Sequence, residues 1–185
     1  MEMTREKAVD LVRENIDEDN LVKHCLAVEG VMRRLARYFD REEEKWALTG
    51  LLHDIDYSET KDDEEKHSQL GADILADMGM PDDVVEAVRA HNHAHGLPRE
   101  TLLAKALYAS DPLTGLIVAA TLVHPEQKLA EVDTDFVLNR YEESSFARGA
   151  DRDVIASCTE MDLELDEFVS LALEGMQNIS EELGL

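Results

Sequence analysis

The histidines of the sequence are placed where they could bind a metal ion. Seven are present, and four lie on predicted apolar helix faces or at the ends of such helices: His24, His53, His67 and His91. Asp54 directly follows one of them. Imidazole and carboxylate are ordinary ligands of first-row transition metals, and a helical bundle builds a metal site from ligands on several facing helices. The pattern therefore indicates a metal centre. For any one histidine alone, the alternative is a core or surface side chain with a hydrogen-bonded partner.

Two further aspartates have positions that allow more than one role. Asp111 lies between the apolar segments 102–107 and 113–118 and directly precedes Pro112. An aspartate before a proline is a good N-cap for a helix, and a capping residue can also be a ligand. For Asp56 the sequence favours a role in a turn or as a cap.

The elements that position these side chains are predicted to be helices. Only 4 prolines and 9 glycines interrupt the chain, and between them apolar residues recur at spacings of three and four, which is typical of helices. No convincing strand appears, so we predict an all-α, bundle-like fold. The predicted helices are at about 20–39, 42–52, 67–78, 81–95, 101–110 and 112–123, with the clearest later one at 163–179.

Length, charge and cysteine content limit the class of protein. We expect one domain over residues 1–185, with a metal-site core at about 20–115 and C-terminal helices at 133–185 packing on it. The net charge of −24, from 18 basic and 42 acidic residues, repels nucleic-acid polymers and anionic membranes. Cys25 and Cys158 have neither the spacing of a zinc knuckle nor the number for a disulfide framework. No apolar run approaches the roughly 18 residues of a membrane span, so we predict a cytoplasmic protein.

The order of the histidines and aspartates resembles that of the HD superfamily of metal-dependent phosphohydrolases. That family's pattern is an early His, a His-Asp pair and a distant Asp, which here are His24, His53-Asp54 and Asp111. The run 67–71 and the stretch 84–92 look like the extra histidine motifs of the branch that binds two metals. Segments 51–60 and 105–116 look like a group of uncharacterised predicted hydrolases in the same superfamily.

The resemblance implies a helical HD domain that holds one or two divalent transition metals, drawn from Mn, Fe, Zn, Ni and Co. It implies a first metal on His24, His53, Asp54 and Asp111, and a second on His67 and His91 with Asp54 as the bridge.

One position departs from the family pattern. Many two-metal members have a second histidine directly after the one that matches His91, and this chain has Asn92. The second metal site is then weaker, singly occupied, or completed by water or by His95. On a continuous helix His95 would face the same way as His91, whereas His93 would point about 200° away and lie at the surface.

The chemistry implied by the resemblance is hydrolysis of a phosphoester by metal-activated water. The expected partner is a small anionic phosphorylated substrate, such as a nucleotide or metabolite. Asp54 as the bridging ligand, with His95 or Asp56 as the proton donor to the leaving group, completes the predicted catalytic set.

Cations that could bind the substrate phosphate are scarce. The candidates are Lys105, Lys128, Arg148 and Arg152. The two arginines flank a turn at Gly149, and guanidinium groups bind phosphate in a fork geometry. Surface salt bridges are the alternative role for them.

Other interpretations of the same residues stay open at this point. Some members of the superfamily use this ligand set in a di-iron oxygenase. A metal- or nucleotide-binding regulatory module would keep the site without turnover, and a purely structural helical domain would use the histidines for packing. Helical surfaces also allow a homo-oligomer. The sequence does not specify the substrate, the metal, or the choice between monoesterase and diesterase.

Overall fold

The helices expected from the residue spacing are present in the computed structural model, which describes residues 3–185 and contains no strand within them. The chain is all-α, as predicted. The α-helices are α1 (Arg5–Asn15), α2 (Asp19–Tyr38), α3 (Glu43–Leu52), α4 (Tyr57–Thr60), α5 (Gln69–Asp77), α6 (Asp82–Ala90), α7 (Leu102–Val123), α8 (Thr134–Glu142), α9 (Arg152–Ala156), α10 (Leu165–Gln177) and α11 (Ser180–Leu183). Short 3₁₀ turns lie at His93–His95, Leu129–Glu131 and Ser157–Met161.

Helix α2 lies at the centre of the packing, between α3 and α10. Glycines allow the backbones to approach closely on both sides. A Cβ atom at Gly50 of α3 would lie 2.8 Å from the carbonyl oxygen of Val28, and one at Gly175 of α10 would lie 2.6 Å from that of Gly30. These separations are shorter than side chains permit, so the small residues set the position of α2.

Helix α7 replaces the two helices predicted at 101–110 and 112–123. Pro112 lies inside it, and a proline removes one backbone hydrogen bond without ending a helix whose sides are packed. The helix continues because residues on both sides of the proline, such as Leu107 and Leu113, are fully buried. Thr101 caps the helix by accepting a hydrogen bond from the Ala104 amide. The interpretation of Asp111 as an N-cap is therefore wrong, since Asp111 lies in mid-helix.

The apolar character of α7 also corrects the expectation that no segment approaches a membrane span. Among the described residues it is the one helix long and apolar enough to cross a membrane, with a hydropathy of 1.5 over a window that is 56% buried. The core helix of a soluble protein can have the same length and apolar composition. Packing of α7 against α2, α6 and α9 accounts for its composition.

Two helices end or begin at other residues than the spacing predicted. Helix α6 ends at Ala90 and leaves His91 as its C-cap, and His95 lies in a separate 3₁₀ turn. The inference that His95 faces the same way as His91 assumed a continuous helix and is wrong. Helix α5 begins at Gln69, because Ser68 has a φ of 70° and so separates His67 from the helix.

The segments after residue 133 cover one side of the core. Val137 of α8, Ile155 of α9 and Phe168 of α10 are fully buried and belong to the same hydrophobic cluster as the apolar residues of α2 and α7. These helices contribute packing surface around the region that carries the histidines.

Candidate metal centre

Five segments bring the predicted ligands to one place. One comes from α2, two follow α3 directly, one precedes α5, one follows α6 and one lies within α7: His24, His53, Asp54, His67, His91 and Asp111. Asp54 is in the middle of the group. Its Oδ1 atom lies 3.3 to 3.5 Å from the Nε2 atoms of His91 and His67.

The remaining contacts place the other ligands beside the same carboxylate. The Nε2 atom of His53 lies 3.4 Å from Asp54 Oδ1, and that of His24 lies 3.6 Å from Asp54 Oδ2. Asp111 Oδ1 lies 3.0 Å from His24 Nε2 and 3.8 Å from His53 Nε2. The structure thus brings together all six residues that the resemblance implied as ligands.

The Nδ1 atoms of the imidazoles are held by hydrogen bonds, which leaves Nε2 for the centre. His53 Nδ1 donates to the Gly50 carbonyl at 2.7 Å, and His91 Nδ1 donates to the Val88 carbonyl at 2.6 Å. In a neutral imidazole with its proton on Nδ1, the Nε2 lone pair is free to bind a cation. Such hydrogen bonds orient metal-binding histidines and fix the tautomer.

The other two histidines are oriented by side chains. His24 Nδ1 lies 3.2 Å from Thr114 Oγ1, and the Thr114 hydroxyl donates to the Asp111 carbonyl at 2.8 Å. Because that hydroxyl proton is committed, its oxygen accepts from His24. His67 Nδ1 donates to Asp56 Oδ1 at 3.1 Å. Thr114 was not found from the sequence, although its position three residues after Asp111 on one helix was a usable signal.

The Asp56 carboxylate positions His67 and the backbone beside it. Besides His67, its carboxylate accepts from the backbone amides of Ser68 at 2.8 Å and Gly71 at 3.0 Å. These bonds hold the left-handed backbone of Ser68, and the missing side chain at Gly71 leaves room for the carboxylate. Asp56 is buried and does not line a cavity at the centre, which argues against the predicted role as a proton donor.

Burial and charge oppose each other within the centre. Burial of the His53 imidazole favours its neutral form, but the carboxylates of Asp54 and Asp111 outweigh burial and raise the pKa of His53 to about 9. Burial acts to raise the pKa of Asp54, but His53 and His91 beside it lower that pKa below its usual range. The pKa of Asp111 is lowered in the same way, against burial, by His24 and His53. The two carboxylates therefore stay ionised, and a cation would displace the proton from His53.

The donor set fits a metal ion. Asp54 Oδ1 and His91 Nε2 are buried atoms without a hydrogen-bond partner, and buried polar atoms are normally paired. Two overlapping groups, each with ligand atoms within 4.8 Å of one another, could hold an ion: His24 with His53 and Asp111, and His53 with Asp54 and His91. Nitrogen and carboxylate ligands in this combination suit several first-row divalent metals.

Asn92 and His95 hold the loop beside the centre. The Asn92 side-chain amide donates to the Glu64 carbonyl at 3.0 Å and to the His67 carbonyl at 3.3 Å. His95 Nε2 donates to the His67 carbonyl at 2.8 Å. The structure does not bring His95 into the cavity at the centre, so the expected roles of His95 as a ligand or proton donor lack support. His93, expected at the surface, is exposed but lines that cavity.

A cavity of 420 Å³ opens onto the centre on the side of His67, His91 and Asp111. Its outer walls include residues that the sequence reasoning did not identify: Tyr57, Lys61, Glu64, Tyr108 and Asp151. Tyr57 follows Asp54 by three residues, which was the available signal. A second cavity of 500 Å³ lies beside His24, with mainly apolar walls.

The four predicted phosphate-binding cations are not among the residues that line these cavities. Lys105 donates to the Glu160 carbonyl. The Arg152 guanidinium donates to backbone carbonyls, including those of Phe146 and Ala150 at 2.6 Å, and so holds the loop before α9. Lys128 and Arg148 are exposed. Arg152 forms no salt bridge within the described residues, so that alternative is wrong, and its role at a phosphate stays a prediction.

Comparison with known proteins agrees with this geometry. The sequence model of the HD domain matches residues 21–124, which is more than half of the chain. A ribonuclease Y from Oleidesulfovibrio alaskensis is 30% identical over 96 residues, 52% of this chain and 18% of that protein. An uncharacterised protein of Methanocaldococcus jannaschii is 29% identical over 148 residues, 76% of this chain and 85% of that protein.

A ribonuclease Y from Lactobacillus acidophilus is 25% identical over 168 residues, 89% of this chain and 30% of that protein. The chain thus spans less than a third of the length of the ribonucleases Y that it matches here. No solved structure gives a significant match.

The fold and the site define an all-α protein with a histidine and aspartate centre that could hold metal ions. The chain belongs to the HD domain family, a family of metal-dependent hydrolases.

Proposed function

We propose that this protein is a metal-dependent phosphohydrolase that cleaves a phosphoester of a small molecule with water. The observation that carries the proposal is that Asp54 Oδ1 and His91 Nε2 are buried 3.3 Å apart beside a 420 Å³ cavity, and neither atom has a hydrogen-bond partner. When bound, divalent ions would activate water and stabilise charge on the phosphoryl oxygens.

The residues of the chain would hold and orient these ions. His24, His53 and Asp111 form one group of donors and His67 and His91 another. Asp54 lies between the groups: its Oδ2 is near His24, and its Oδ1 lies within 3.5 Å of His53 of the first group and of His67 and His91 of the second. The hydrogen bonds at each Nδ1 atom keep the ring planes fixed, so little reorganisation is needed when ions and substrate bind.

The proposed substrate is a small phosphorylated molecule and not a nucleic-acid polymer. A chain with a net charge of −24 repels a polyanion over most of its surface. The cavity volume suits a nucleotide-sized molecule. The name ribonuclease Y describes relatives of which this chain matches only a small part.

The test is metal analysis of the purified protein beside two variants, Asp54→Ala and Asp62→Ala. Asp62 is an exposed aspartate nearby in the chain and serves as the matched control. All three proteins are then screened against phosphomonoesters, cyclic nucleotides, dinucleotides and a short RNA. Bound metal and turnover of a small phosphoester, both lost only in Asp54→Ala, would support the proposal.

Three results would contradict it. Bound metal without turnover of any phosphoester would favour a regulatory module that binds a metal or nucleotide. Bound iron with consumption of oxygen would favour a di-iron oxygenase. Absence of metal from the unmodified protein, even after incubation with manganese, iron, cobalt, nickel or zinc, would refute the centre itself.

A further inference from the structure

The two lysines beside the centre each form an ion pair with a carboxylate of the protein. Lys61 is the one lysine or arginine among the described residues that line the 420 Å³ cavity, and its Nζ lies 3.0 Å from Glu18. Lys23 lines the second cavity, and its Nζ lies 3.2 Å from Asp19. A phosphate that arrived at either lysine would compete with a carboxylate of the protein.

Two further acidic residues, Glu64 and Asp151, line the same cavity. Asp151 caps α9 by accepting from the amides of Asp153 at 2.9 Å and Val154 at 3.2 Å. Glu64 is held at its backbone, where its carbonyl accepts from the Asn92 amide. These bonds fix the Asp151 carboxylate at the wall, and the exposed Glu64 side chain extends from a backbone that is held beside the cavity.

The wall also carries two tyrosine rings, Tyr57 and Tyr108. The Tyr57 ring meets the His67 ring edge to face at 5.3 Å between centroids. The Arg99 guanidinium lies 3.9 Å from the centroid of the Tyr108 ring while also pairing with Glu160 at 2.7 Å. Arg99 therefore orders an aromatic wall and is not free to bind phosphate. Aromatic side chains provide flat surfaces on which nucleobases stack.

We propose that the cavity selects a phosphomonoester with a single phosphoryl group and an uncharged or cationic remainder that carries a ring, and that it excludes polyphosphates. This rests on the proposed hydrolase function. The phosphoryl group would lie at the histidines and aspartates, and the remainder against Tyr57 and Tyr108. In the reaction the water oxygen bonds to phosphorus, the ester P–O bond breaks, and the alcohol leaves with a proton.

The physical basis is repulsion between like charges. Within the wall, Glu64 and Asp151 outnumber Lys61, so a second or third phosphate beyond the centre would lie among net negative charge. Juxtaposed like charges suppress binding of the wrong partner. The repulsion acts through solvent, so salt screens it with a Debye length of about 10 Å at 0.1 M.

The experiment compares AMP, ADP, ATP and ribose 5-phosphate with the protein loaded with the metal it retains on purification, in excess free metal. We expect kcat/KM to fall in the order AMP, ADP, ATP, with AMP about tenfold or more above ATP at low salt. The difference should shrink as sodium chloride is added. Ribose 5-phosphate should be a poorer substrate than AMP because it lacks the adenine base, which would pack against the tyrosine rings.

Three variants separate the effect of the acidic wall from that of the overall charge. Glu64→Gln should lower the ratio of kcat/KM for AMP to kcat/KM for ATP by about threefold. Glu65→Gln removes the same charge from the next residue, which is exposed and does not line the cavity, and should leave the ratio within error. Asp151→Asn keeps a capping side chain and should act like Glu64→Gln.

Calorimetric binding of AMP and ATP distinguishes failure of this proposal from failure of the hydrolase function. Tighter binding of AMP without turnover would refute the hydrolase function and keep the charge selection. ATP that binds or reacts as well as AMP would overturn the selection, as would an equal effect of Glu64→Gln and Glu65→Gln. Loss of ATP turnover when the exposed Arg148 is replaced would also overturn the selection, because it would show that Arg148 binds a phosphate of ATP.

Discussion

Replacing Thr114 by valine should weaken metal binding without removing a ligand. Thr114 is fully buried, and its hydroxyl accepts from His24 Nδ1 and donates to the Asp111 carbonyl. Valine has nearly the same shape, but it leaves the His24 Nδ1–H group without its partner and lets the ring rotate. Loss of such an orienting partner typically costs 10- to 100-fold in metal affinity, or about 1.4–2.8 kcal/mol.

The same helix supplies a matched control. Thr121 is also fully buried in α7, and its hydroxyl donates to the Ile117 carbonyl at 2.9 Å, but it contacts none of the predicted ligands. Thr114→Val and Thr121→Val therefore each lose one hydroxyl-to-backbone bond. Competition with a chelator of known affinity measures the metal dissociation constant, and thermal unfolding after chelation measures the stability of each variant.

We expect both variants to unfold within a few degrees of the unmodified protein, with reduced metal affinity only in Thr114→Val. Equal metal dissociation constants for the two variants, within about threefold, would refute the idea that Thr114 orients His24. A similar loss in both variants would attribute the effect to α7 as a whole.

Three further predictions follow from the fold and the charges. After chelation, the contribution of His53 to the free energy of unfolding should be complete below about pH 6.5 and be lost as pH rises through about 9, because the raised pKa of His53 lets the folded chain keep a proton that the unfolded chain loses; metal affinity should rise over that interval, as calorimetric proton release would show. Asp56→Ala should destabilise the protein by about 2–5 kcal/mol in urea unfolding, since it strands two buried backbone amides. Gly175→Ala should cost about 1–3 kcal/mol because its Cβ would lie 2.6 Å from the Gly30 carbonyl, whereas Gly115→Ala, with nothing within 4 Å, should stabilise α7 by about 0.5–1 kcal/mol.

The sequence predicted the helical fold and the convergence of six side chains because both depend on patterns along the chain. Spacing of three and four marks apolar helix faces, and the order of histidines and aspartates matches a family. Helix ends were less predictable. At the end of α6 the His91 side chain donates to the Val88 carbonyl, and the spacing of apolar residues does not predict such a local bond.

The surroundings of the centre depend on contacts between distant segments. Asp56 looks like a turn residue in the sequence, and its role follows only from the approach of Ser68 and Gly71. The sequence also does not predict that the Arg152 guanidinium donates to the backbone carbonyls of the loop before α9. Pairings of this kind form across sequence separations that spacing rules do not cover.

The close approach of Gly30 and Gly175 has a consequence for shortened chains. The family match ends at residue 124, so a chain cut there would keep every predicted ligand. It would also lose α10, whose backbone lies directly against the helix that carries His24. Helix α10, which carries no predicted ligand, therefore sets the position of α2 and of its ligand His24. A fragment limited to the matched region should bind metal more weakly than the full chain.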